Sequence, residues 1–134
     1  MNSIVIHSDG GARGNPGPAG AGAVLTEQAT GKTLHEISTY LGATTNNQAE
    51  YQALILALQT ARTYQPDRLT CYLDSELIVR QLNGRYRVKH PDLKPLYLKV
   101  VSLVGTLPTQ FIHIPREKNQ RADALANQAM DRRR

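Results

Sequence analysis

The sequence predicts an α/β fold: a five-stranded mixed sheet, element order β-β-β-α-β-α-α-β-α, with helices on both faces. Three observations carry this. The first forty residues alternate in the manner of three successive strands. A long segment after residue 47 repeats its apolar residues at helical spacing. Two later apolar runs are separated and followed by helical segments, which suits strands brought into register by crossover connections.

The elements follow in order. "SIVIHSD" (3–9) alternates and is rich in β-branched residues, so it reads as a strand ending near Asp9. "GAGAVLTEQ" and "TLHEISTYLG" are two further strands joined by the turn-like "ATGK". Asn46 and Asn47 are expected to cap the helix "QAEYQALILALQTARTY", whose Ala53, Leu54, Ala57, Leu58 and Ala61 form one apolar face and which stops before Pro66. "RLTCYLD" reads as a buried strand, and "SELIVRQLNG" as a helix of about three turns with Ser75 as cap and Gly84 as stop. "RYRVKHP" is a basic loop. "DLKPLYLKVVSLVG" is a helix with Pro95 in its first turn, "TQFIHIP" a strand, "REKN" a loop, and "QRADALANQAMD" the last helix.

A chain of 134 residues with 40% hydrophobic and 20% charged residues reads as one globular domain, 1–134. No apolar run approaches the roughly 20 residues that cross a bilayer, and the start lacks the pattern of a secretory signal. The one cysteine, Cys71, suits a reducing cytoplasm and reads as a buried structural thiol. The net charge is +5, and the surplus is uneven. Between Glu76 and Glu117, Asp92 is the one acid against Arg80, Arg85, Arg87, Lys89, Lys94, Lys99 and Arg116. That block fits a polyanionic partner such as nucleic acid; it equally fits a solvated basic face.

Four acids share a placement. Asp9 and Asp74 end the first and fourth strands, while Glu50 and Asp123 are expected in the first turns of the long and last helices. Clustered carboxylates repel unless cations compensate them or some stay protonated. Hard divalent cations, Mg²⁺ above all, suit an all-oxygen set, whereas one Cys and four scattered His offer no zinc spacing. Taken singly, a first-turn acid also favours the helix dipole and a strand-end Asp also serves a turn, so spacing leaves both readings open.

The stretches "DGGARGNPGPAGAG", "TTNNQAEYQAL", "LDSELIVRQLNG" and "HIPREKNQRADALANQA" resemble, in that order, the four signature blocks of type 1 ribonuclease H, and they cover Asp9 to Ala129. The resemblance implies a ribonuclease H-like fold and hydrolysis of the RNA strand of RNA–DNA hybrids, leaving 5′-phosphate and 3′-hydroxyl ends. It implies Mg²⁺, with Mn²⁺ as a substitute, held as two ions by Asp9, Glu50, Asp74 and Asp123. Such a pair clamps the attacking and leaving oxygens of an in-line displacement, so no protein nucleophile is required. It further implies substrate contacts by Gly10, Gly11, Asn15, Thr45, Asn46, Asn47, Gln48 and Ser75, with Thr45 on a DNA-strand phosphate. The glycines of the first block are expected to let the hybrid backbone approach. The family implies a monomer acting in the cytoplasm.

Two departures from the best-known family pattern stand out. The loop before Asp123 often carries a mobile His; here Arg116 fills its place and is expected to act as a phosphate-directed cation, with Glu117 the runner-up and a surface ion pair of Arg116 with Asp123 or Glu117 the plainer reading, while His113 falls in the preceding strand. The basic helix that some members place between the second and fourth helices has no room in "RYRVKHP", so the chain resembles the compact archaeal and bacterial members. Arg85 and Lys89, with Arg87 and Lys94, are then the reduced substitute. Two alternatives belong beside this reading: a catalytically silent nucleic-acid-binding domain of the same fold, which the four intact acids disfavour, and a nuclease that also cuts double-stranded RNA, whose A-form shape and 2′-hydroxyls a hybrid shares.

Overall fold

The structure is a computed structural model that describes residues 2–133. Strands β1 (Ser3–Ala12), β2 (Gly17–Glu27) and β3 (Thr33–Thr44) form an antiparallel meander. Helix α1 (Asn46–Thr63) leads to β4 (Arg68–Leu73), α2 (Glu76–Leu82) and α3 (Lys94–Val104), then β5 (Thr109–His113) and α4 (Gln120–Arg132). The sheet order is β3-β2-β1-β4-β5, with β4 parallel to both β1 and β5. The expected order of elements and the mixed five-stranded sheet are thus both present.

The main core lies between the sheet and α1. Ile4, Ile6, Leu25, Leu69, Cys71 and Leu73 project from the strands, and the expected helical face of Ala53, Leu54, Ala57, Leu58 and Ala61 meets them, all buried. Helix α4 covers the other face, packing against β2, β3 and β1. Glycines make that covering close. A Cβ on Gly22 would run into the backbone of Ala122 and Ala126, and one on Gly20 into the carbonyl of Ala126. Across the sheet, a Cβ on Gly10 would meet the carbonyl of Ala49 in α1. The expectation that these glycines clear space for substrate is therefore corrected: Gly10, Gly20 and Gly22 admit the protein's own helices.

Three element boundaries near the cleft differ from expectation. Strand β1 runs on from Asp9 to Ala12, because Gly10, Gly11 and Ala12 pair with Ala21, Gly20 and Ala19 although their composition reads as loop. The N-cap of α1 is Thr45, not Asn46 or Asn47; its hydroxyl accepts from the Gln48 amide at 3.2 Å while the Gln48 side chain accepts from the Thr45 amide at 3.2 Å, a capping box. Starting the helix at Asn46 moves Glu50 out of the first turn, so no dipole role accounts for it. Helix α2 has seven residues, about two turns instead of three, capped by Ser75 as expected and closed by Asn83 ahead of Gly84 at φ 76°. The link from Asn83 to Leu93 contains no further helix.

Candidate active site

The parallel pairing of β1 with β4 ends at Ser8 and Leu73, so the next residues, Asp9 and Asp74, emerge side by side where the two strands part. Asp9 continues in β1, held antiparallel to Gly22 of β2. Because Gly22 lets α4 lie directly on the sheet, Asp123 in the first turn of α4 enters the same cleft. Glu50 arrives from α1, its Oε1 accepting from the Gly10 amide at 2.9 Å. Asp9, Glu50 and Asp74 each offer a carboxylate oxygen within 4.8 Å of the other two, and Asp123 lines the same cleft of about 510 Å³.

The two most buried carboxylates of the cleft are costly to ionise. Asp9 is 8% and Glu50 6% exposed. Burial, with Asp74 and Asp123 nearby, pushes Asp9 up to about 7, against the favourable hydrogen bond from Glu50. Glu50 is raised well above the ordinary carboxylate range, first by burial and then by Asp9, despite the Gly10 amide. The buried Glu50 Oε2 has no hydrogen-bond partner. A hard, oxygen-only donor set with an unsatisfied buried carboxylate oxygen fits a divalent cation, Mg²⁺ or Mn²⁺ among them.

The other singled-out residues fall in and around the cleft and away from it. Arg116 opens a 3-10 turn (Arg116–Lys118), is exposed, and lies 3.4 Å from an Asp123 oxygen at the cleft's edge. Asn46, Asn47, Gly10, Gly11 and Ser75 also line the cleft. Asn46 Oδ1 accepts from the Ala12 amide at 2.8 Å, and Asn15 Oδ1 accepts from the Asn46 amide at 3.0 Å, so the two asparagines lock the first loop to the start of α1. Thr45, Asn15 and Asn47 share a smaller hollow with His90 and Asp92. The Gln48 carbonyl oxygen is taken up by Thr44 and Thr45, and the Gly10 amide by Glu50. Arg85 is not brought to the cleft: it lines a separate hollow with Arg80, Asn83 and Phe111. Lys89 is exposed on the connecting loop outside the cleft.

Two residues at the cleft escaped the sequence reading. Arg13 lines it, its guanidinium 2.7 Å from Asp131 of α4. Asn119 is 1% exposed and donates to Asp74. Neither has a local signal, since Arg13 sits in a glycine-rich loop and Asn119 in a run read as surface. Cys71 is fully buried with its thiol pushed up to about 12, as expected of a structural cysteine.

A mixed sheet that gathers carboxylates where its central parallel strands part, under two helices that each add one more, defines a class of α/β domains with an all-oxygen acidic cleft. Comparison with known proteins narrows the class. The family described as Reverse transcriptase-like matches residues 7–129. Ribonuclease HI of Halobacterium salinarum is 43% identical over 96% of this chain, which spans 64% of that protein. Ribonuclease H of Verminephrobacter eiseniae is 35% identical over 98% of this chain and 92% of its own length. A bifunctional protein of Mycobacterium tuberculosis is 43% identical over 96% of this chain, which spans about a third (35%) of its length. Its N-terminal RNase H domain, solved as a fusion with maltose binding protein, superposes with a TM-score of 0.93, covering 96% of this chain and 99% of that one. A compost-derived RNase H1, LC11, crystallised with an RNA/DNA hybrid, is 50% identical with a TM-score of 0.90 over 96% and 97% of the two chains. The chain belongs to the ribonuclease H family, in its compact form without a further helix between α2 and α3.

Proposed function

We propose that this chain is an endoribonuclease that hydrolyses the RNA strand of RNA–DNA hybrids, leaving 5′-phosphate and 3′-hydroxyl ends. The observation that carries the proposal is the meeting of Asp9, Glu50 and Asp74 within 4.8 Å at the foot of a cleft that Asp123 also lines. Membership of the ribonuclease H family and the hybrid held by the LC11 relative support the choice of substrate.

Asp9, Glu50, Asp74 and Asp123 would hold Mg²⁺, with Mn²⁺ as a substitute; when bound, the metal supplies Lewis-acid stabilisation of phosphoryl oxygens and lowers the pKa of water. The chain's own residues do the rest. Burial of Asp9 and Glu50 keeps the carboxylates close and weakly solvated, so once ionised they would attract a divalent cation strongly. Arg116, exposed and within reach of Asp123, supplies positive charge toward a phosphate oxygen at the cleft mouth. Asn47 has both amide groups free for a sugar or phosphate among the described hydrogen bonds, and Thr45 and Asn15 face the neighbouring hollow. Gly11 leaves the floor open, since a Cβ there would meet nothing closer than the Asn46 side chain at 3.9 Å. Arg85 and Lys89 act at a distance from the cleft, on flanking phosphates.

The reading includes action as a monomer and as one catalytic unit, residues 1–134. Cys71, free and buried, supports a cytoplasmic setting. Among the described residues no helix is long and apolar enough to cross a membrane.

The test is a strand-labelled hybrid incubated with Mg²⁺, Mn²⁺ or chelator, with single-stranded RNA, duplex RNA and duplex DNA in parallel. The expected result is cleavage of the hybrid's RNA strand with either metal and none with chelator. An intact hybrid, or equal cleavage of the DNA strand, would overturn the proposal; cleavage of duplex RNA as well would widen the substrate class.

A further inference from the structure

Helix α4 begins at Asn119, a residue type that ordinarily caps a helix by accepting from an amide in its first turn. Asn119 makes no such bond. Its side chain turns instead into the protein, where the residue is 1% exposed, and Nδ2 donates to the Ser8 carbonyl at 2.9 Å and to Asp74 Oδ2 at 3.4 Å. Two acceptors at Nδ2 fix the amide's orientation, because the flipped form would set Oδ1 against a carbonyl and a carboxylate. Oδ1 is left buried with no partner. A capping bond given up and a buried acceptor left unsatisfied both count against stability.

The contacts made in exchange link three elements at the cleft. Ser8 is the last β1 residue paired with β4, and Asp74 follows the last β4 residue of that ladder. One turn along α4 is Asp123, whose amide donates to the Asn119 carbonyl at 3.1 Å. Asn119 thus touches one carboxylate through its side chain and leads the helical turn that carries another. The Asp74 carboxylate has no other hydrogen-bond partner among the described side chains, so this donor is what sets its direction.

We infer that Asn119 is a positioning residue for the metal-holding carboxylates: it aims Asp74 across the gap between β1 and β4 and fixes the offset between Asp74 and Asp123. The inference rests on the proposal that these acids hold a divalent cation. Partners of metal-holding carboxylates typically matter about 10–100-fold in metal affinity.

The test is Mn²⁺ binding to the free protein, followed by electron paramagnetic resonance, for wild type, Asn119→Ala, Asp74→Asn and the double variant. Wild-type binding is read in the same experiment, so failure of the metal reading itself is seen separately as no Mn²⁺ bound by wild type and no loss in Asp74→Asn. Asn119→Ala is expected to weaken Mn²⁺ binding roughly tenfold or more. In the Asp74→Asn background the same substitution is expected to change binding less than about twofold, because Asn119 acts through that carboxylate. Asn119→Leu, which keeps the side-chain volume, runs through the same cycle and guards against a folding defect in the alanine variant. Mn²⁺ affinity within twofold of wild type in both variants, or an equal loss in the two backgrounds, would overturn the inference.

Discussion

Asp9 and Glu50 sit where an ionised carboxylate is hard to keep. Both are buried, Asp9 raises Glu50 while the Glu50 side chain lowers Asp9, and Asp74 adds repulsion to both. The proposed cation site accounts for them, because such a site needs closely spaced negative charge and that charge is costly without a cation. Arg116 is the opposite kind of residue: exposed, on a short 3-10 turn, and only loosely paired with Asp123 at 3.4 Å. A guanidinium so placed can leave Asp123 for a phosphate without unfolding anything. Arg116→Ala is therefore expected to lower the cleavage rate by roughly tenfold, about 1.4 kcal/mol, while Mg²⁺ affinity and melting temperature stay near wild type. Steady-state kinetics with a metal titration checks this, and an unchanged rate would remove Arg116 from the reaction.

At the scale of elements, the site depends on how closely α4 lies on β2. Gly22 pairs with Asp9 in the sheet and meets the backbone of Ala122 and Ala126 in the helix. Gly22→Ala forces α4 away from the sheet and carries Asp123 with it. The expected cost is ~1–3 kcal/mol, read as a lower melting temperature by circular dichroism together with weaker metal binding; a stability equal to wild type would show that α4 tolerates the shift. The element order and the long amphipathic helix were legible in the sequence because periodicity reports on burial, whereas the positions of the four acids left dipole and turn roles open and the resemblance to a family brought them together as a set. The end of β1 was not, since Gly10, Gly11 and Ala12 have the composition of a turn yet pair as a strand, and only the helices packed on either side explain why they are small. The start of α1 was misread for a related reason. Asn46 and Asn47 are good caps by type, but Thr45 and Gln48 form the reciprocal pair, which frees the asparagines for the loop and the cleft. Asn119 was illegible because nothing near it in sequence signals that its amide reaches β1 and β4.

For the molecule as a whole, the raised acids couple folding to pH and to metal. Between the ordinary carboxylate range and about 7, the folded metal-free protein keeps a proton on Asp9 that the unfolded chain has released. The folded state then binds more protons, so stability falls as pH rises through that window, and Glu50 acts in the same direction. On the proposed function, Mg²⁺ would reverse the trend by binding the ionised form. At about 100 times its dissociation constant it contributes about 2.7 kcal/mol. The melting temperature of metal-free protein is thus expected to drop from pH 5 to pH 8, with a larger Mg²⁺-induced rise at pH 8. Differential scanning calorimetry with and without Mg²⁺ checks both parts, and an equal rise at the two pH values would contradict the linkage.

Everything in this account converges on Asp9, the residue in the central strand that stands between Glu50, Asp74 and the β2 glycine beneath α4. The most direct measurement is the rate at which Asp9→Asn cleaves a strand-labelled RNA–DNA hybrid in saturating Mg²⁺, on protein whose circular dichroism matches wild type. The account predicts a loss of roughly 1,000-fold or more, since several kcal/mol of transition-state stabilisation depend on the metal that this carboxylate holds. Cleavage by Asp9→Asn at the wild-type rate would contradict it.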